Sequence, residues 1–94
     1  MEPVWTDEAR AAVWAVLESN CGAKDGRRDS FMLQWPGCRE YRFQGNFGFG
    51  GKVWWNEGRC YVNCYPEDET PEIRHAIGRA NILLGIIVDA MKGD

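Results

Sequence analysis

The sequence predicts an α+β domain of order α-β-β-(β)-β-α, an antiparallel meander of three to four strands flanked by an N-terminal and a C-terminal helix. Three observations predict it. Residues 41–65, YRFQGNFGFGGKVWWNEGRCYVNCY, hold eight of the chain's twelve Phe, Trp and Tyr residues and five of its glycines. No helix tolerates that glycine load, whereas tightly turned strands do. On either side of this stretch, apolar residues recur at helical spacing behind a capping threonine. Finally, 94 residues suffice for one core, so residues 1–94 are expected to form a single domain.

Thr6 is a good N-cap, and Asp7 and Glu8 place negative charge where the helix dipole favours it. Ala9, Ala12, Val13, Val16 and Leu17 then form one apolar face of a helix running to about Ser19, closed by Asn20 and Gly22. The polar segment CGAKDGRRDS, residues 21–30, is expected as a loop, and Lys24, Arg27 and Arg28 make it the most basic patch of the chain. Ser30 to Trp35 is expected as a short strand with Phe31, Leu33 and Trp35 on one face, followed by a Pro36-Gly37 turn.

Arg39 to Gln44 is expected as the next strand, with Tyr41 and Phe43 opposite Arg42 and Gln44. Residues 45–51 read as a long turn or bulged strand, and Lys52 to Trp55 resume extended structure. Asn56-Glu57-Gly58 turns the chain into a last strand, Arg59 to Tyr65. Cys60, Val62 and Cys64 lie on one face of that strand, and Tyr61, Asn63 and Tyr65 on the other. Both faces of the sheet thus carry apolar side chains, a first sign of a partner surface.

Pro66 to Glu69 form an acidic stop before the final helix, which Thr70 caps, with Pro71 at its first position. Ile73, Ile77, Ala80, Leu84, Ile87 and Met91 make its core stripe. The opposite side carries Gly78, Ile82, Gly85 and Ile86, where a surface helix should be polar. These four residues are expected to form a seam against either the first helix or a second copy of the chain.

The net charge of −3 disfavours partners held mainly by phosphate contacts. The N-terminus has no basic region followed by an apolar run, and the longest apolar run, residues 82–88, is too short to span a bilayer. A cytoplasmic protein is expected. Cys21, Cys38, Cys60 and Cys64 are therefore expected to be reduced and structural. On one strand, Cys60 and Cys64 would stand about 13 Å apart, too far for a shared zinc or a disulfide. No metal or cofactor is expected.

Gly45, Gly48, Gly50 and Gly51 invite a phosphate-loop reading, but a strand-like KVWW follows them where such a loop requires a helix. Residues 51–58, GKVWWNEG, resemble the opening strand of cold-shock domains. There the Trp-Asn pair precedes Gly-Phe-Gly-Phe, whereas FGFG precedes the pair here, so that family is rejected. The element order resembles that of the double-stranded-RNA-binding domain. Its lysine cluster at the last helix is replaced here by PEDE and TPEIRHAIGR, so its function is not carried over.

A cysteine with His75, the chain's one histidine, is the single conceivable nucleophile–base pair, and nothing in the sequence orients it. The expected function is non-enzymatic binding of a macromolecule, foremost a protein, through Phe47, Phe49, Trp54, Trp55 and Tyr61, with Glu67, Asp68 and Glu69 as an acidic flank. Size, acidity and the lack of catalytic motifs are similar to those of compact inhibitors from phages and mobile elements, anti-CRISPR proteins among them. The alternative is a single-stranded nucleic-acid or nucleotide binder whose aromatic face stacks on bases.

Overall fold

A computed structural model of the chain describes residues 4–92. The fold is α+β. Helix α1 (Asp7–Cys21) leads through a 3₁₀ turn (Asp25–Arg27) into a short helix α2 (Arg28–Gln34). Strands β1 (Glu40–Gln44), β2 (Gly50–Asn56) and β3 (Arg59–Cys64) follow, and helix α3 (Pro71–Lys92) closes the chain. The strands form one antiparallel sheet in the order β1-β2-β3. Among the described residues, no helix is long and apolar enough to cross a membrane.

Local chemistry accounts for the two long helices. The Ala9 amide donates to Thr6 Oγ1 at 3.1 Å, and the Ile73 amide to Thr70 Oγ1 at 3.2 Å, so each threonine satisfies one amide that the first turn leaves open. Helix α1 ends at Gly22, whose φ of 73° is left-handed and whose amide bonds the Glu18 carbonyl. The β2–β3 hairpin closes on Glu57 and Gly58, with φ of 52° and 73°. Two consecutive positive φ values are what a tight two-residue hairpin turn requires.

One expected strand is a helix. Residues 28–34 form α2, and Ser30 to Trp35 do not join the sheet. Helical geometry brings Phe31 and Trp35, four residues apart, into a stack with ring centres at 5.2 Å, and turns Leu33 out into solvent at 87% exposure. Gln34 Nε2 donates to Ser30 Oγ across the same turn at 3.0 Å. Burial of two large rings on one side of so short a segment outweighs its strand-like alternation. Sheet and helices therefore meet through an aromatic spine. Phe31 lies 5.3 Å from Tyr41, Trp35 4.6 Å from Trp5, and Trp5 5.0 Å from Trp55.

The core lies on one side of the sheet. Tyr41, Phe43, Val53, Trp55, Cys60 and Val62 face α1, α2 and α3, and all are buried. A close approach explains Gly51, which pairs with Phe43. A side chain there would meet the Phe43 ring at 2.4 Å, so the glycine lets that ring lie flat on the strand. Among the described residues, no helix lies on the other side of the sheet.

Candidate functional site

The uncovered side of the sheet is built from the alternate residues of the same strands. The strand register aligns Glu40, Trp54 and Tyr61 in one row across the sheet, and Arg42, Lys52 and Asn63 in the next. Trp54 and Tyr61 stack with ring centres 6.1 Å apart and planes 15° from parallel. Trp54 Nε1 donates to Asn63 Oδ1 at 3.1 Å, which fixes the indole's orientation.

Cations brace the rings. Lys52 Nζ stands 4.6 Å from the Tyr65 ring centre and 5.6 Å from that of Trp54, and the Arg59 guanidinium lies 5.4 Å from Tyr61. Tyr65 folds back over Gly50, where a side chain would strike its ring at 2.7 Å. Arg42 Nε donates to Glu40 Oε2 at 2.9 Å beside this row. The outcome is a half-exposed platform of rings and cations, preorganised by contacts within the chain.

The sequence-predicted contact residues divide. Trp54 and Tyr61 lie on the platform. Phe49 and Trp55, 3% and 4% exposed, are core residues and cannot meet a partner. Period two explains Trp55, since it follows Trp54 and must point the other way. Phe49 turns inward because the Gly45 and Phe49 backbones pair at 2.9 Å, setting its ring 6.3 Å from Phe43. Phe47, at the tip of that loop, is 92% exposed with a left-handed φ of 60°, off the platform.

The acidic flank is also partly structural. Asp68 Oδ2 accepts the Gly50 amide at 2.9 Å and finishes the β2 ladder, while Glu69 pairs with Arg74 at 3.1 Å. Glu67 is exposed. On α3, Ile82 and Ile86 are 67% and 57% exposed, so α1 does not cover the Gly78–Ile86 side. Gly78 is exposed beside them, and Gly85 lines an open groove of about 570 Å³ between α3 and β3.

Lys52, Arg59, Asn63 and Tyr65 are platform members that the sequence expectation did not single out as contacts. Their signal was the alternation through β2 and β3, once the face opposite Val53 and Val62 is known to be open. Burial pushes the Cys60 thiol up to about 12 and the Cys21 thiol up to about 11, and it raises Cys38 and Cys64 as well. Thiolate, the reactive form, is thereby suppressed. His75 is exposed on the first turns of α3. Among the described residues, no group of three or more His, Cys, Asp and Glu side chains is placed to hold a metal ion.

No protein-family model matches this chain, and neither a characterised protein nor a solved structure matches it.

Proposed function

We propose that this chain is a small, non-enzymatic, cytoplasmic binding protein that lays the outward face of its sheet on a protein target and occludes the surface it covers. The observation that carries the reading is the uncovered Trp54–Tyr61 stack, braced by Lys52, Arg59 and Asn63. Trp, Tyr and Arg are the residue types that dominate binding energy at protein interfaces, at about 2 kcal/mol or more each where they anchor. Rings already held in place lose little conformational freedom on binding, so more of their contact energy reaches the affinity.

Charge favours a protein over a nucleic acid. The chain's net charge is −3, and the Tyr65 end of the platform runs into Glu67, Asp68 and Glu69. A phosphate backbone crossing the face would meet those carboxylates, whereas a basic protein surface would be drawn to them. A compact occluding protein of this kind fits the style of phage and mobile-element inhibitors, which act without chemistry of their own. The suppressed thiolates of Cys21 and Cys60 support the same view. Ile82 and Ile86 would then serve a separate purpose, an α3-to-α3 seam in a homodimer. Sedimentation of the wild type and of Ile82→Glu checks that seam, with a dimer expected only for the wild type.

Immobilised wild type should retain one stoichiometric protein from a nuclease-treated lysate of its source cells, and Trp54→Ala/Tyr61→Ala should lose it while staying folded. Retention by both would refute the reading. One observation favours a second reading, single-stranded nucleic-acid binding: Arg42, Lys52 and Arg59 interleave with the rings. In that case an oligothymidylate should quench tryptophan emission, and salt should reverse the quenching steeply.

A further inference from the structure

The two edges of the sheet are finished differently. On β3, Asn81 occupies both outward backbone groups of Val62. The Val62 amide donates to Asn81 Oδ1 at 2.7 Å, and Asn81 Nδ2 donates to the Val62 carbonyl at 3.0 Å. One carboxamide of α3 thus stands in for a neighbouring strand. Edge strands left open invite another chain, and this edge is capped at its central residue.

Among the described residues, β1 has no such cover. Its ladder with β2 runs through odd-numbered residues, as the Trp55 amide bonding the Arg39 carbonyl at 2.8 Å and the Gly45 amide bonding the Phe49 carbonyl at 2.9 Å establish. The amides and carbonyls of Arg42 and Gln44 therefore point away from the sheet, and no group among the described residues bonds them. An open groove of about 540 Å³ runs beside them. Lys24, Gly26, Arg27, Arg42, Phe43 and Gln44 line it, with no carboxylate among them. The Tyr41 hydroxyl donates to the Arg27 carbonyl at 3.4 Å, tying the basic segment to the inner side of β1. Lys24 and Arg27 have no ion-pair partner among the described residues, while Arg42, on the outer side, is paired with Glu40.

We infer that the β1 edge accepts an extended acidic polypeptide segment of a partner as a fourth strand. The segment's backbone pairs with the amides and carbonyls of Arg42 and Gln44. Its carboxylates meet Lys24 and Arg27 on the inner side and Arg42 on the outer side, since successive residues of a strand point to opposite faces. A second copy of this chain is a poor occupant. Edge-to-edge pairing of two β1 strands would bring their arginines and basic segments together, and like charges across a strand pair are destabilising. The site is independent of the aromatic platform, with which it shares only Arg42.

The test uses the full chain and three labelled octapeptides: a Glu-Val peptide of repeat Glu-Glu-Val-Val, which puts carboxylates on both faces of a strand, its counterpart N-methylated on every backbone amide, and a Lys-Val peptide of repeat Lys-Lys-Val-Val. Anisotropy titration should show Glu-Val binding at least about tenfold more tightly than either control, the N-methyl groups having removed strand-pairing donors. Lys24→Glu/Arg27→Glu, both on the surface, should weaken Glu-Val binding by at least about tenfold with an unchanged circular dichroism spectrum. In the complex, amide hydrogen exchange at Arg42 and Gln44 should slow by at least about tenfold. Equal binding of the N-methylated peptide would reduce the contact to charge alone and overturn the inference, as would an absence of Glu-Val binding. Protection of the Arg42 and Gln44 amides in the free protein, together with a dimeric mass that Ile82→Glu leaves in place, would also overturn it by assigning the edge to a second copy.

Discussion

Trp54 and Trp55 are neighbours in sequence and stand on opposite sides of one strand. Trp55 is 4% exposed and meets Trp5 edge-on at 5.0 Å inside the core. Trp54 is half-exposed and stacks on Tyr61. The same contrast holds along the sheet, with Phe43 over Gly51 inside and Tyr65 over Gly50 outside. Both faces therefore use aromatic rings lying on glycines, at similar chemical composition. What separates them is cover: three helices remove water from the inner rings, while cations and an asparagine hold the outer ones in place without removing it. Stability is expected to reside on the inner face and recognition on the outer.

The largest expected effect comes from deleting each tryptophan in turn. Trp55→Ala should destabilise by about 3–5 kcal/mol in urea unfolding, the usual cost of emptying a large core site, and Trp54→Ala by about 1 kcal/mol or less. Equal losses would erase the distinction between the faces. The glycine pair sharpens it further. Gly51→Ala should cost about 1–3 kcal/mol, because its methyl group would meet the buried Phe43 ring at 2.4 Å and that ring has nowhere to go. Gly50→Ala should cost less than about 1 kcal/mol, since half-exposed Tyr65 can swing outward, though the Lys52–Tyr65 contact would then be lost.

Alkali gives a smaller effect confined to the inner face. Burial raises the Cys60 thiol from its ordinary 9.0 to about 12, so the unfolded chain loses this proton before the folded one does. Its contribution is complete below pH 9 and is lost as pH rises towards 12. The wild type should therefore lose about 1 kcal/mol from this group between pH 8 and pH 10. Buried Cys21, raised to about 11, adds a loss of the same sign, so Cys60→Val should remove roughly half of the slope in urea titrations at the two pH values. A Cys38→Ser change on an exposed residue should leave most of the slope in place.

Much of this arrangement is legible in the residues. Thr6 and Thr70 mark both helix starts, Glu57-Gly58 marks the hairpin, and the alternation from Lys52 to Tyr65 sorts side chains onto two faces. Alternation does not say which face the helices will cover, and for that reason Trp55 and Phe49 read as surface candidates. Helix α2 was hidden for a different reason. Phe31, Leu33 and Trp35 fit a two-residue period as well as Phe31 and Trp35 fit a helical one, and seven residues are too few to separate the two. The pairing of Lys24 and Arg27 with the β1 edge depends on a contact between residues fourteen apart, Arg27 and Tyr41, which no local pattern encodes.

The outer face, and not α3 or the core, is where the partner is proposed to sit. Chemical-shift mapping of the isotope-labelled chain with its captured partner tests it directly. The Trp54 indole N–H signal and the amides of Lys52, Trp54, Tyr61 and Asn63 should move or broaden together, while the Trp55 indole signal stays in place. Shifts centred on Ile82 and Ile86, with the Trp54 indole signal unmoved, would contradict the account.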